Sequence, residues 1–265
     1  MPCATKSEIV ELEPCGNLAV VRLNNGVINS ISLDLVKSFA ATIAKVKSQF
    51  QGIVLAGGDK FFSIGFDISE LLAMNPHEMR DFFFKFNDAV LELYSAPIPT
   101  ACAMKCHAIA GGAILSLACD YRLAASEKTL IGLNEIKLGL PAPYLVDMIV
   151  RQVTDDATAS SILYFGEFLN ADAAKSKGIL TEVVPKEDVE SRALEIISKI
   201  ARFNPRAFAE TKSNRVETIK YRYQKNHEIK NDAFLSCWFE AKTQELLRDA
   251  AEKSFARKPS SEKNT

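Results

Sequence analysis

The chain has 265 residues, 48% hydrophobic and 25% charged, which is the composition of a globular protein long enough to bury a core without metals or disulfides. Lys+Arg is 32 against Asp+Glu 33, for a formal net charge of -1, and this balance excludes broad binding to nucleic acid or an anionic membrane surface. No pair of the 6 cysteines has CxxC spacing and the 3 histidines complete no zinc pattern, so Cys102, Cys106 and Cys119 read as buried reduced thiols.

Elements follow in chain order. Glu8, Glu11 and Glu13 leave no apolar leader at the N-terminus, which favours a cytoplasmic protein. Leu18–Leu23 is a short β-branched run ended by Asn24-Asn25-Gly26, a strand and a turn. Leu35, Val36, Phe39, Ile43 and Val46 recur at helical spacing behind Ser32, a candidate N-cap. Gly52–Ala56 is a buried strand closed by Gly57-Gly58-Asp59. A helix is predicted from Ser69 to Tyr94, broken near Asn75-Pro76. Ile98–Met104 is another strand, Gly111-Gly112 opens an apolar helix over Ala113–Cys119, and Tyr121–Ala124 is a strand again. Cys106–Cys119, although uncharged, is too short to span a bilayer.

Strands alternating with helices imply an α/β core. From Ala142 onward the chain reads as helix, except for a short strand at Thr181–Val184 and a break at Asn204-Pro205. The expected organisation is a core over 1–200, a helical subdomain over 201–258 and a flexible tail over 259–265. The last three residues, Lys263-Asn264-Thr265, form no peroxisomal address.

Two glycine-containing turns each follow a strand and precede a helix: Phe62–Asp67 and Ala110–Ala113. A helix start exposes unpaired N–H groups, and two such turns side by side could aim two donors at one oxygen, an oxyanion hole. The competing reading is plain packing, in which Gly-Gly lets a helix approach a sheet. Neither turn fits GxGxxG or a Walker A loop, and no GxSxG nucleophile elbow is present.

At these turns the chain resembles the enoyl-CoA hydratase/isomerase (crotonase) family, and the resemblance runs in order from Leu18 to Pro185. Leu23-Asn24-Asn25 and Asn29-Ser30-Ile31 are similar to its first strand and first helix start. Phe62-Ser63-Ile64-Gly65-Phe66-Asp67-Ile68 is similar to its first CoA and oxyanion segment. Ala108–Gly112 is similar to its second segment, Cys119–Arg122 to the strand after the helix, and Ile131–Leu140 to the segment of the catalytic acid. Gly166, Ala171, Ala174, Gly178 and Val183 match the signature that follows. The resemblance implies an α/β fold, a crotonase-like spiral of ββα units with a C-terminal helical trimerisation subdomain. It implies a CoA thioester whose carbonyl sits between the N–H groups of Phe66 and Gly111, with Ser63, Ile64, Phe66, Ile68 and Gly111 along the CoA path. It further implies a homotrimer or dimer of trimers, its C-terminal helices packed on neighbouring subunits, and no cofactor beyond coenzyme A as part of the substrate.

The carboxylates select the reaction. Family hydratases use two glutamates; here the first position is Ile114 and only the second, Glu135, is retained. Dienoyl-CoA isomerases carry further acids, at Ile114 and near Pro143, and both are missing. One carboxylate suffices to carry a proton from C2 to C4 of a 3-enoyl thioester, as in the family's mitochondrial-type Δ3,Δ2-enoyl-CoA isomerases, to which Val27–Asp34 and Ile131–Glu135 are similar. Apart from the resemblance, Glu135 reads as an exposed glutamate capping a turn. Two alternatives stay open: another CoA-enolate enzyme (decarboxylase, thioester hydrolase or weak hydratase), dependent on another polar group; or a non-catalytic acyl-CoA-binding protein. His107 reads as a packed strand-end side chain, and His77 and His227 as surface residues. Lys105 faces solvent or meets a CoA phosphate. Lys220, Arg222, Lys225, Lys230 and Lys242 form a solvated face or supply charge for that phosphate.

Overall fold

Two sheets grow from paired short strands. The structure is a computed structural model that describes residues 8–126 and 128–255. Val10–Cys15 (β1) and Leu18–Leu23 (β2) form an antiparallel hairpin. Ile53–Ala56 (β3), Thr100–Met104 (β5), Tyr121–Ala125 (β7) and Glu182–Val184 (β10) extend it as parallel strands, in the order β1-β2-β3-β5-β7-β10. Each of β3, β5 and β7 leads directly into a strand of a second sheet: Phe61–Ser63 (β4), His107–Ile109 (β6) and Leu130–Gly132 (β8). Phe168–Asn170 (β9) closes that sheet antiparallel to β8, in the order β4-β6-β8-β9. The repeating strand–strand–helix unit is the expected spiral.

The helices follow their patterns. Ser32 caps Leu33–Gln49 (α1) by accepting from the Leu35 N–H at 3.1 Å, and the predicted stripe Leu35, Val36, Phe39, Ile43, Val46 is buried. The predicted helix over 69–94 is two helices, Ile68–Leu72 (α2) and Pro76–Tyr94 (α3). They part where Asn75 forms a capping box with Glu78 and Pro76 takes the first helical position. Gly111–Leu117 (α4), Tyr144–Val153 (α5), Asp156–Phe165 (α6), Ala171–Ser176 (α7) and Val189–Ile200 (α8) follow. Period-2 alternation divides the large sheet. Val21, Leu55, Cys102 and Ala124 face the main core, whereas Val20, Val54, Ala101 and Leu123 face Val189, Ala193 and Ile197 of α8.

Pro205–Trp238 (α9) and Ala241–Phe255 (α10) end the described chain. Val216, Ile219, Tyr223, Phe234, Trp238 and Leu247 of these helices join the main core of the chain, while Tyr221 and Ile229 of α9 stay exposed. The expected tail over 259–265 lies outside the described residues. Of the thiols, Cys102 and Cys119 are buried as expected, but Cys106 is only half-buried. Among the described residues no helix is long and apolar enough to cross a membrane.

Candidate active site

Three parallel strands deliver three loops to one end of the small sheet. Ser63 of β4 stands beside Ala108 of β6, and Ala108 and Ile109 stand beside Ile131 and Gly132 of β8. Beyond these strands run Ile64–Asp67, Ala110–Gly112 and Leu133–Glu135. The carboxyl ends of adjacent parallel strands are where an α/β sheet forms its ligand crevice.

The first loop is braced by Ile28–Ile31. The Ile31 N–H donates to the Gly65 carbonyl at 2.8 Å, and the Ile64 and Asp67 N–H groups donate to Ile28 and Ile31 carbonyls at 3.1 Å each. Asn29, buried at φ +46, donates through Nδ2 to the Phe62 carbonyl at 3.2 Å. The Ser30 hydroxyl donates to Asp67 at 2.9 Å, and Asp67 accepts from the Glu70 N–H to cap α2. These bracing roles of Asn29 and Asp67 were not legible locally, because their partners are distant in sequence.

The second loop turns on Ala110, at φ 47 and ψ -120, a conformation that costs a side-chain-bearing residue about 1–3 kcal/mol. The Ala110 N–H donates to the Gly132 carbonyl at 2.9 Å, which ties this loop to the third. Within the described residues neither the Phe66 nor the Gly111 N–H donates a hydrogen bond. The two loops touch. A Cβ on Gly65 (φ +93) would lie 2.9 Å from the Gly111 nitrogen, and one on Gly112 only 2.3 Å from the Ser63 carbonyl oxygen. Both glycines pack closely, a Cβ on Gly111 lying 2.8 Å from Ile31 Cδ1, and the Gly111 amide is left open.

Glu135 begins a 3-10 turn over Glu135–Leu138 and is 8% exposed, not the exposed capping residue that its polar neighbours suggest. Its Oε2 is buried with no hydrogen-bond partner. Burial pushes the carboxyl up from 4.5 to about 7, against an opposing pull from its own amide N–H. Gly166 (φ +61), the cap of α6, packs on this turn; a Cβ there would lie 3.2 Å from Asn134 Cα. Ile114, at the position of the absent second acid, is 1% exposed in α4.

The remaining candidates divide. Ile64, Phe66 and Ile68 are half-buried and keep some surface open, whereas Ser63 is fully buried. The Ser63 hydroxyl is spent internally, donating to the Asn29 carbonyl at 2.7 Å and accepting from the Gly65 N–H at 3.1 Å. Lys105 pairs with Glu190 at 2.9 Å and Asp59 at 3.7 Å. His107 Nδ1 accepts from the Leu130 N–H at 3.1 Å, and burial lowers its pKa, which is the packed strand-end role. His227 is half-buried against Phe84 and Tyr223 rather than on the surface; His77 is exposed. Lys220, Arg222, Lys225, Lys230 and Lys242 are exposed, as a solvated face requires.

Known proteins share this architecture. The chain is 32% identical over 201 residues to mouse (Mus musculus) "Enoyl-CoA delta isomerase 1, mitochondrial", covering 74% of this chain and 69% of the relative. It is 29% identical over 195 residues to the "Short-chain-enoyl-CoA hydratase" of Clostridium acetobutylicum, covering 72% of this chain and 74% of the relative. The crystal structure of human mitochondrial delta3-delta2-enoyl-CoA isomerase superposes with a TM-score of 0.90 at 26% identity, covering 94% of this chain and 99% of that one. The family model described as Enoyl-CoA hydratase/isomerase matches residues 13–260. With the spiral of strand pairs and three loops converging at one sheet end, this match makes the chain a member of the enoyl-CoA hydratase/isomerase family, with the crotonase fold.

Proposed function

We propose that this enzyme is a Δ3,Δ2-enoyl-CoA isomerase that works with a single glutamate. The thioester carbonyl oxygen accepts hydrogen bonds from the Phe66 and Gly111 N–H groups, which have no partner within the described residues. The Glu135 carboxylate takes a proton from C2. The C2–H electrons move into the C3=C4 π system and the carbonyl, giving a dienolate held by the two amides. The same carboxyl returns the proton to C4, and the double bond settles between C2 and C3. Ile64, Phe66 and Ile68 flank the thioester on the CoA side. Ser63 supports that path through its backbone position, since its hydroxyl is engaged. Coenzyme A enters as part of the substrate, and the chemistry has no redox step. We further propose a homotrimer as the assembled form.

One observation carries this reading: a buried, unpartnered carboxyl pushed up to about 7 in the third loop, with Ile114 where a second acid would stand. A carboxyl near neutrality suits a proton shuttle at physiological pH, and an apolar neighbour excludes the water that hydration requires. The test is incubation with 3-hexenoyl-CoA and with 2-hexenoyl-CoA, products being read by chromatography. Wild type converts the 3-enoyl to the 2-enoyl thioester with little 3-hydroxy product, and Glu135→Gln loses roughly 100-fold to 10,000-fold in rate. Isomerisation indifferent to Glu135 refutes the shuttle. Dominant 3-hydroxyacyl product means a hydratase instead.

A further inference from the structure

Phe66 has a side chain as well as an amide, and its ring stands at the site. A Cβ on Gly111 would lie 3.5 Å from Phe66 Cδ1, so the ring flanks both amides of the proposed oxyanion hole. It is held edge-on by two phenylalanines of α3: Phe82 at 5.1 Å and 79° between ring planes, and Phe86 at 4.8 Å and 85°. These two backing rings are parallel, 6.5 Å apart, and buried. Edge-to-face packing of this kind holds a ring in one orientation. Leu71 of α2 and Met79 of α3 are also fully buried. Between the site and the packed core on the α3 side there is thus an aromatic layer, of which only the Phe66 ring is partly open.

We infer that the Phe66 ring, wedged against Phe82 and Phe86, ends the acyl pocket and restricts the enzyme to short-chain enoyl thioesters. This rests on the CoA-thioester reading above. An acyl tail heading toward α3 must displace a ring that two others hold in place. Removing the ring opens an apolar hollow lined by Phe82 and Phe86 at the point where the tail leaves the carbonyl.

Titration calorimetry of the full chain with saturated butanoyl-, octanoyl- and dodecanoyl-CoA separates the two levels, because these thioesters bind without turnover. Each methylene added in an open apolar pocket tightens binding about fourfold. Wild type is expected to gain nothing from butanoyl to octanoyl or from octanoyl to dodecanoyl. Phe66→Ala is expected to raise the dodecanoyl-to-butanoyl affinity ratio at least tenfold, with Phe86→Ala moving it the same way by less. Circular dichroism establishes that each variant is folded; if Phe66→Ala is not, Phe66→Leu must show the shift in smaller measure. Wild-type affinity that climbs steadily with chain length overturns the inference, as does a ratio unmoved in folded variants. Isomerisation of 3-hexenoyl-CoA lost in Glu135→Gln would then still stand by itself. Failure of wild type to bind any of the three thioesters overturns the CoA reading, and this inference with it.

Discussion

Under the proposed mechanism, burying Glu135 couples catalysis to stability at one carboxyl. Its folded-state pKa, about 7, is raised above the unfolded 4.5 by desolvation. The native state therefore holds a proton that the unfolded chain releases across this window. Stability from this group is complete below pH 4.5 and is lost as the pH rises through 7, by on the order of 3 kcal/mol. Glu135→Gln keeps the shape and cannot ionise, so its stability relative to wild type should grow from pH 5 to pH 8. Urea unfolding at both pH values measures this, and an equal difference at the two would mean a solvated carboxyl. The same ionisation should give wild-type kcat/KM a rising limb near pH 7 rather than 4.5. None of this was legible in Asn134-Glu135-Ile136-Lys137, which reads as a polar turn. The burial comes from α6, through Gly166, and from α10, whose Thr243 hydroxyl donates to the Gly139 carbonyl at 3.3 Å.

At the scale of elements, the long helix α9 is fastened to the large sheet by a buried charge. Asp120, between α4 and β7, accepts from the Thr100 N–H and hydroxyl at 3.0 Å each, from Lys212 Nζ at 2.7 Å and from Arg215 Nη1 at 2.8 Å. Lys212 is 4% exposed and also donates to the Ile98 carbonyl at 3.2 Å; burial lowers its pKa. Asp120→Ala leaves this ammonium buried without its counter-charge and should destabilise the fold by about 3–5 kcal/mol. Lys212→Met, which removes the buried charge itself, should cost less. The two urea midpoints decide it, and a loss under 1 kcal/mol in Asp120→Ala would mean that α9 docks by apolar contact alone. The sequence pattern marked α9 as helical but not what its stripe would meet. It found β2, β3, β5 and β7 because each is a run of at least four residues, rich in apolar or β-branched side chains, and it found the short β10 within Thr181–Val184. It missed β1, whose six residues mix glutamate and proline with apolar side chains, and β4, β6, β8 and β9, each of three residues, too short for a period to register. Those short strands aim the site loops, so the motifs located the site while the strands that assemble it went unread.

For the whole molecule, that asymmetry explains which expectations held. Motif order from Leu18 to Pro185 was enough to place the fold, since the two glycine turns and the Glu135 segment constrain one another across the small sheet. The packing of the C-terminal helices was not legible, because an amphipathic stripe specifies that a face is buried but not by which chain. Although α9 and α10 contribute to the core, α9 leaves Tyr221 64% and Ile229 76% exposed, so the proposed homotrimer has more than one surface to draw on. One such surface surrounds the Glu135 turn: Ile136 is 45% exposed, Phe165 67% and Phe168 42%. Gly166 packs against Ile136, and Lys137 lies 5.5 Å over the Phe168 ring, so these residues adjoin. Clustered exposed apolar side chains commonly mark an interface, and covering Ile136 would also hold the neighbouring Glu135 in place. Light scattering after size exclusion should therefore give wild type three times the chain mass. The double variant Phe165→Asp, Phe168→Asp should run as a monomer with unchanged circular dichroism and reduced isomerisation. A wild type that is monomeric at micromolar concentration removes the trimer; a trimer that survives both aspartates places its interface elsewhere.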